Sequence, residues 1–273
     1  MKTMQKKGQM ALFLIVGVFL LAIAGIVFYF ETTQLDSSGT IEGTLDSSLG
    51  PEVKAFVESC LASATEEGMY WIGLQGGYYS PVNAFPYLFF EVPIYFDGRA
   101  IIPPLSRVEL ELGEYIEQNL ESCLDDFSNI KQLGVGVITG EFEVDVELGK
   151  TVSVVLEFPI SLQVENTKVF LDKFFVEHLF DFGQVYSAIE AIHEEHEKNI
   201  NSVPIGFLSY YVYKHDMTFD MDFLDNNTVL YSLFFHGINN YEDAYVFNFA
   251  GRYKWEPNSL SEDMFTQRGG DDE

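Results

Sequence analysis

Twenty-one consecutive positions, Met10 to Phe30 (MALFLIVGVFLLAIAGIVFYF), carry no charge. As an α-helix this run would be about 31 Å long, close to the hydrocarbon thickness of a bilayer. Its backbone hydrogen bonds would close within the segment, as lipid requires. A helix this uniformly apolar in a water-soluble protein would need covering on all sides. Lys2, Lys6 and Lys7 precede the run, and Glu31 and Asp36 follow it. The positive-inside rule therefore predicts a cytoplasmic leader over 1–9, a transmembrane helix over 10–30 and everything after it outside the cytoplasm.

Beyond the apolar run the pattern changes several times. Residues 31–50, rich in Ser, Thr, Gly and Asp, read as a flexible linker. A first helix is expected to start at Pro51, with Val53, Phe56, Val57, Cys60, Leu61 and Ala64 on its apolar face and Gly68 as a stop or kink. The glycines and aromatics from Tyr70 to Tyr79 suggest a turn in which backbone packs against rings. Asp97-Gly98 between apolar runs predicts a hairpin over 86–102, and Pro93 marks its first strand as an edge or a bulge. A second helix follows. Ser106 and Glu109 match a capping box, Val108, Leu112, Ile116, Leu120, Cys123, Leu124 and Phe127 form its apolar face, and Glu111, Glu114, Glu117, Glu121 and Asp125 its outer face.

From about 135 the period becomes two. Strands are expected near 142–148, 152–158, 160–164 and 169–176, as an antiparallel meander with one wet face. A third helix over 184–199 leads to a second meander at 215–224, 229–235 and 245–253. Residues 256–273 are expected to be a disordered acidic tail. The predicted fold class is α+β: one N-terminal transmembrane helix, then an extracytoplasmic domain over 51–255 of antiparallel β meanders with about three helices, with a sub-boundary near 130.

Charge narrows the partners. The chain holds 15 Lys and Arg against 42 Asp and Glu, a formal net charge of −27, so phosphate backbones are repelled and nucleic-acid binding is excluded. Aromatic residues make up 15% of the sequence, enough to build a real core and to set aside a disordered chain.

Both cysteines sit in the same tetrapeptide, Glu-Ser-Cys-Leu, at 58–61 and 121–124. An even count in an extracytoplasmic domain points to a Cys60–Cys123 disulfide, the alternative being two separate buried thiols. His193 and His196 share a face of the third helix, and with His178 they are a weak candidate for Zn²⁺ against a plain solvated face. Asp216, Asp220 and Asp222 alternate with apolar residues and lead into Asp225-Asn226-Asn227, a weak Ca²⁺ candidate against a plain solvent face. Asn226-Asn227-Thr228 matches a glycosylation acceptor. A phosphate-binding glycine loop, a nucleophile elbow and a C-x-x-C pair are missing from the sequence, so a binding protein without cofactors is expected rather than an enzyme.

Lys6-Lys7-Gly8-Gln9-Met10-Ala11, followed directly by the apolar run, resembles the class III signal peptide of archaeal type IV pilin-like precursors. That resemblance implies peptidase cleavage between Gly8 and Gln9, with the apolar helix surviving as membrane anchor or filament core. Many pilins of this kind carry Glu at the fifth mature position, where this chain has Phe13. Ala22-Ile23-Ala24 offers a competing signal-peptidase site, but cleavage there would leave an apolar stub, and retention is favoured. Residues 51–79 and 116–127 also resemble a group of uncharacterised archaeal membrane-anchored proteins, which implies no activity. The expected function is a single-pass surface protein, a binding or envelope-scaffolding module that meets the membrane through 10–30 and assembles with itself or with other surface proteins. The alternatives are a pilin-like filament subunit and, less favoured, a metal-dependent enzyme.

Overall fold

The computed structural model describes residues 45–165, 167–239 and 243–255. The leader, the apolar run, most of the linker and the acidic tail lie outside the described residues, as does Asn166. The chain divides after Leu49, and Gly50 onward forms one unit. Its class is α+β, with four helices of ten residues or more and two sheets among the described residues.

Helix α1 (Leu45–Leu74) begins six residues before Pro51 and runs straight through Gly68. Gly68 is not a helix stop. A Cβ there would lie 2.6 Å from Leu112 and 2.7 Å from Tyr115, so the glycine permits close helix packing. Helix α2 (Leu105–Leu124) bears that partner face. Its N-cap is Pro104 and no side chain caps it, so the expected capping box is not formed. After a tight turn at Asp125–Phe127 comes a five-residue helix α3 (Ser128–Gln132).

The first sheet has the order β1-β2-β9-β8-β7: β1 (Ala84–Tyr87), β2 (Phe90–Asp97), β7 (Met217–Phe223), β8 (Thr228–Phe235) and β9 (Tyr245–Arg252). The Asp97-Gly98 turn exists, but its return arm makes only one bridge, Phe96 to Ala100. β2 pairs instead with β1, antiparallel, and with β9, parallel, so the sheet is not purely antiparallel. Pro93 therefore sits in an interior strand. The β9 pairing starts one residue later, at Ile94, and shifts register before Phe96, which is how a residue lacking N–H is accommodated. β8 and β9 read as nearly continuous apolar runs because both their faces are covered. The end of α1 packs by Leu74 on the face of Val92, Leu230 and Ala250. Helix α4 (Phe182–Lys198) covers the opposite face, which carries Phe96, Tyr231 and Phe249. Helix α5 (Ile205–Lys214) was not expected; it supplies one fully buried residue, Leu208, and so has almost no helical stripe to read.

The second sheet is built on β5 (Val152–Val164). Along one side it pairs with β3 (Gly136–Thr139) and β4 (Glu143–Leu148) end to end, and along the other with β6 (Thr167–His178). The strands expected at 152–158 and 160–164 are one continuous strand, with Val152, Val154, Leu156, Phe158, Ile160 and Leu162 buried, and a register shift against β6 between Glu157 and Ile160 carries the pairing past Pro159. Helix carboxylates take backbone donors on both long edges of this sheet. On α2, Glu109 accepts from Leu148 N–H at 3.1 Å and Glu117 from Val144 N–H at 3.3 Å. Eight helical residues span about 12 Å and four strand residues about 13 Å, so the spacings match. Gly113 lies between the two glutamates and faces β4. On α1, Glu58 accepts from Phe175 N–H at 3.3 Å. Unpaired strand edges invite aggregation, and these side chains occupy donors that would otherwise be free. The disulfide Cys60–Cys123, with Cα atoms 5.7 Å apart, joins the two helices that do this.

Two glycines in these helices give opposite expectations. A Cβ at Gly73 would meet the Val246 carbonyl oxygen and the Tyr245 hydroxyl, each at 2.5 Å, so Gly73→Ala should cost about 2–3 kcal/mol. At Gly113 the nearest atoms are 3.6 and 3.8 Å away, so Gly113→Ala should gain about 0.5–1 kcal/mol from helix propensity. Urea unfolding of the two variants checks the contrast.

Candidate functional site

A cleft of about 450 Å³ opens where α4 begins and α5 ends, beside β7 and β8. Asp181 caps α4: its carboxylate accepts from Gln184 N–H at 3.2 Å and from the Gln184 amide at 3.0 Å. Ser187 donates its hydroxyl to the Gly183 carbonyl at 2.7 Å. Across from them Tyr211 and His215 stack, 4.2 Å between centroids and 18° between planes. Burial pushes the Tyr211 phenol above its ordinary pKa, so it remains a neutral donor. Met217 and Phe235 give the cleft an apolar lining, and Lys150, Asp181 and Asp216 place charges around it. Such a mixture suits holding a small amphiphilic molecule: apolar surface for its body and a few convergent polar groups to orient it.

Of the residues singled out from the sequence, Asp216 alone lines this cleft. Asp220 and Asp222 lie on the exposed side of edge strand β7, each accepting from the next residue's N–H at 2.8 Å. Asp225 orders the turn after them, accepting from Asn227 N–H and Thr228 N–H at 2.7 Å each. Those hydrogen bonds hold its carboxyl below the usual range, against the opposing effect of desolvation. Asn226 is exposed at the same turn, while the Thr228 hydroxyl of the acceptor motif is buried on Asp225.

The histidine pair of α4 is split by its surroundings. His196 is 1% exposed and stacks on Phe96 at 3.7 Å. Its Nδ1 lies 3.3 Å from the Ile192 carbonyl and its Nε2 2.6 Å from the Tyr253 hydroxyl, which in turn pairs with the Tyr231 hydroxyl. Both ring nitrogens are thus occupied, and the ring is a core element rather than a metal ligand. His193 stays nearer the surface, 3.8 Å from Glu197. His178 stands at the end of β6, its pKa lowered by desolvation. Among the described residues no three of His, Cys, Asp and Glu come together as a metal cage.

The sequence pattern did not reveal the His196–Tyr253–Tyr231 chain. His196 comes from α4, Tyr231 from β8 and Tyr253 from just beyond β9, and their only sequence signal is a histidine on an apolar helix face. Burial lowers the His196 pKa from 6.5 to about 4. The unfolded chain therefore binds a proton that the folded state refuses, and the stabilisation is full above pH 6.5 and fades as pH falls toward 4. Chemical denaturation at pH 7 and pH 4 should show about 3 kcal/mol more loss in the native chain than in His196→Gln.

Comparison with protein-family models, with curated proteins and with solved structures returned no match. Among the described residues no helix is long and apolar enough to cross a membrane, and residues 10–30 lie outside them.

Proposed function

We propose that this chain is a single-pass membrane protein whose α+β domain stands outside the cytoplasm and binds a ligand or scaffolds other surface components. The observation that carries this is the uncharged run Met10–Phe30 with lysines before it and acids after it. A Cys60–Cys123 bridge suits an oxidising compartment. The cleft between α4 and α5 is the ligand site of choice. The test is carbonate extraction combined with protease treatment of intact cells. The chain should stay with the membrane while external protease removes its domain. Recovery of intact chain in the soluble cytosolic fraction would sink the proposal.

Lys7-Gly8-Gln9 supports a second role, that of a pilin-like subunit. The mass of the mature N-terminus separates the outcomes: a start at Gln9 means prepilin-type processing, at Gly25 a secreted product, and at Met1 an uncleaved anchor. A subunit must also appear in filaments sheared from the cell surface and viewed by electron microscopy, and a chain found only in the membrane is an anchor.

A further inference from the structure

Near the turn joining β5 to β6, two alternate cross-strand rows share the outer face of the second sheet. One is Gly136–Gln163–Lys168 and the other Ile138–Ser161–Phe170. Side chains alternate along a strand, so Phe170 faces away from its neighbour Val169. Val169 meets α1, 3.1 Å from where a Cβ at Gly50 would stand, whereas Phe170 is 74% and Ile138 69% exposed. Ser161 separates them, so they stand about 10 Å apart on one outer face. Lys168 is the one charge in these two rows, on a chain with 42 acidic residues.

This is also the end of the domain at which the chain enters. Helix α1 passes Val169 at Gly50 and Phe175 at Glu58, so it travels along β6 away from the turn. Fourteen residues separate Phe30 from Leu45, and such a stretch reaches no farther than about 50 Å even when extended. A bilayer holding residues 10–30 would thus lie no more than a tether's length from the point where the chain enters the domain.

We propose that this face docks the domain on the bilayer that anchors the chain, with Phe170 and Ile138 in the interfacial layer and the Lys168 ammonium among lipid phosphates. The inference rests on the anchored topology proposed above. Two apolar side chains bind lipid only marginally by themselves, but a tether turns docking into an intramolecular event at an effective concentration near millimolar.

The test uses the full chain reconstituted in phosphatidylcholine vesicles containing a fraction of phosphatidylglycerol. Single tryptophan reporters are compared: Phe170→Trp on the proposed face and Phe89→Trp at the exposed tip of the β1–β2 hairpin, with the native signal subtracted. Brominated lipid should quench the Phe170→Trp increment at least threefold more than the Phe89→Trp increment, and Phe170→Ser with Ile138→Ser should leave the melting curve unchanged. Equal quenching, or none, in chain that stays on the vesicles overturns the docking alone. A chain that leaves the vesicles on carbonate washing overturns the anchor and the docking with it. Sedimentation in detergent showing a dimer that the double serine variant loses would assign the face to a second copy and also overturn the proposal.

Discussion

Cys123→Ser is expected to lower the free energy of unfolding by about 4 kcal/mol. Cys60 and Cys123 lie 63 positions apart, so the bridge closes a long loop and removes many conformations from the unfolded chain. The folded state should suffer as well. Cys60 belongs to α1 and Cys123 to α2, and those helices bring Glu58 to Phe175 on one edge of the second sheet and Glu109 and Glu117 to β4 on the other. Hydrogen exchange at the amides of Val144, Leu148 and Phe175 should therefore quicken in the variant more than at central β5. Urea unfolding of oxidised and reduced protein checks the size. An identical midpoint in the two states, or free thiols at both positions in non-reducing mass mapping of the cellular protein, would remove the bridge from the account.

Replacing Glu111 should cost nearly as much. From the helix pattern alone it belongs on the outer face of α2, yet its side chain is 1% exposed. One carboxylate oxygen accepts from Tyr79 N–H at 2.8 Å and from Ser80 N–H at 3.2 Å, and the other pairs with Arg107. Tyr79 and Ser80 follow the turn at Gly76 and Gly77, both at positive φ, so the loop has no helix or ladder to take its donors. Gln75 secures the same loop. Its amide donates to the Tyr79 carbonyl at 2.8 Å, and its oxygen accepts from Glu91 N–H at 3.1 Å, before the β2–β9 pairing begins. Glu111→Ala leaves two backbone donors without their acceptor and a guanidinium without its counter-charge, an expected loss of about 3 kcal/mol. Glu111→Gln keeps an acceptor for the loop and loses only the charge pairing, so about half that loss is expected. Denaturant midpoints of the two variants decide the point. Equal losses would mean that the ion pair, not the loop, depends on Glu111.

Wherever one face of an element is wet, its pattern was readable in the sequence. α2, α4 and β5 follow from periods of 3.6 and 2 because solvent on one side forces polar residues there. Elements without that contrast leave no such signal. α5 buries a single residue fully, and β2 pairs with β1 and, in parallel, with β9, the latter joining residues more than 150 positions apart. Local turn chemistry at Asp97-Gly98 is blind to that distance. The sites divide in the same way. The cysteines, the exposed aspartates and Asn226 were visible as motifs. The cleft between α4 and α5, the buried Glu111 and the His196–Tyr253–Tyr231 chain were not, because each is assembled from separate segments.

What the sequence determined by itself is therefore the α+β class, the alternation of β5, the cysteine pairing as a possibility and the charge that repels nucleic acid. Those properties depend on residue identity and short-range period, which the linear order contains. Tertiary structure alone decided which glutamates leave solvent, which glycines admit a neighbouring helix or ring, and which histidine becomes core. Each of those outcomes depends on what a distant segment places against the residue, and burial turns the same carboxylate or imidazole from a solvated group into a structural one.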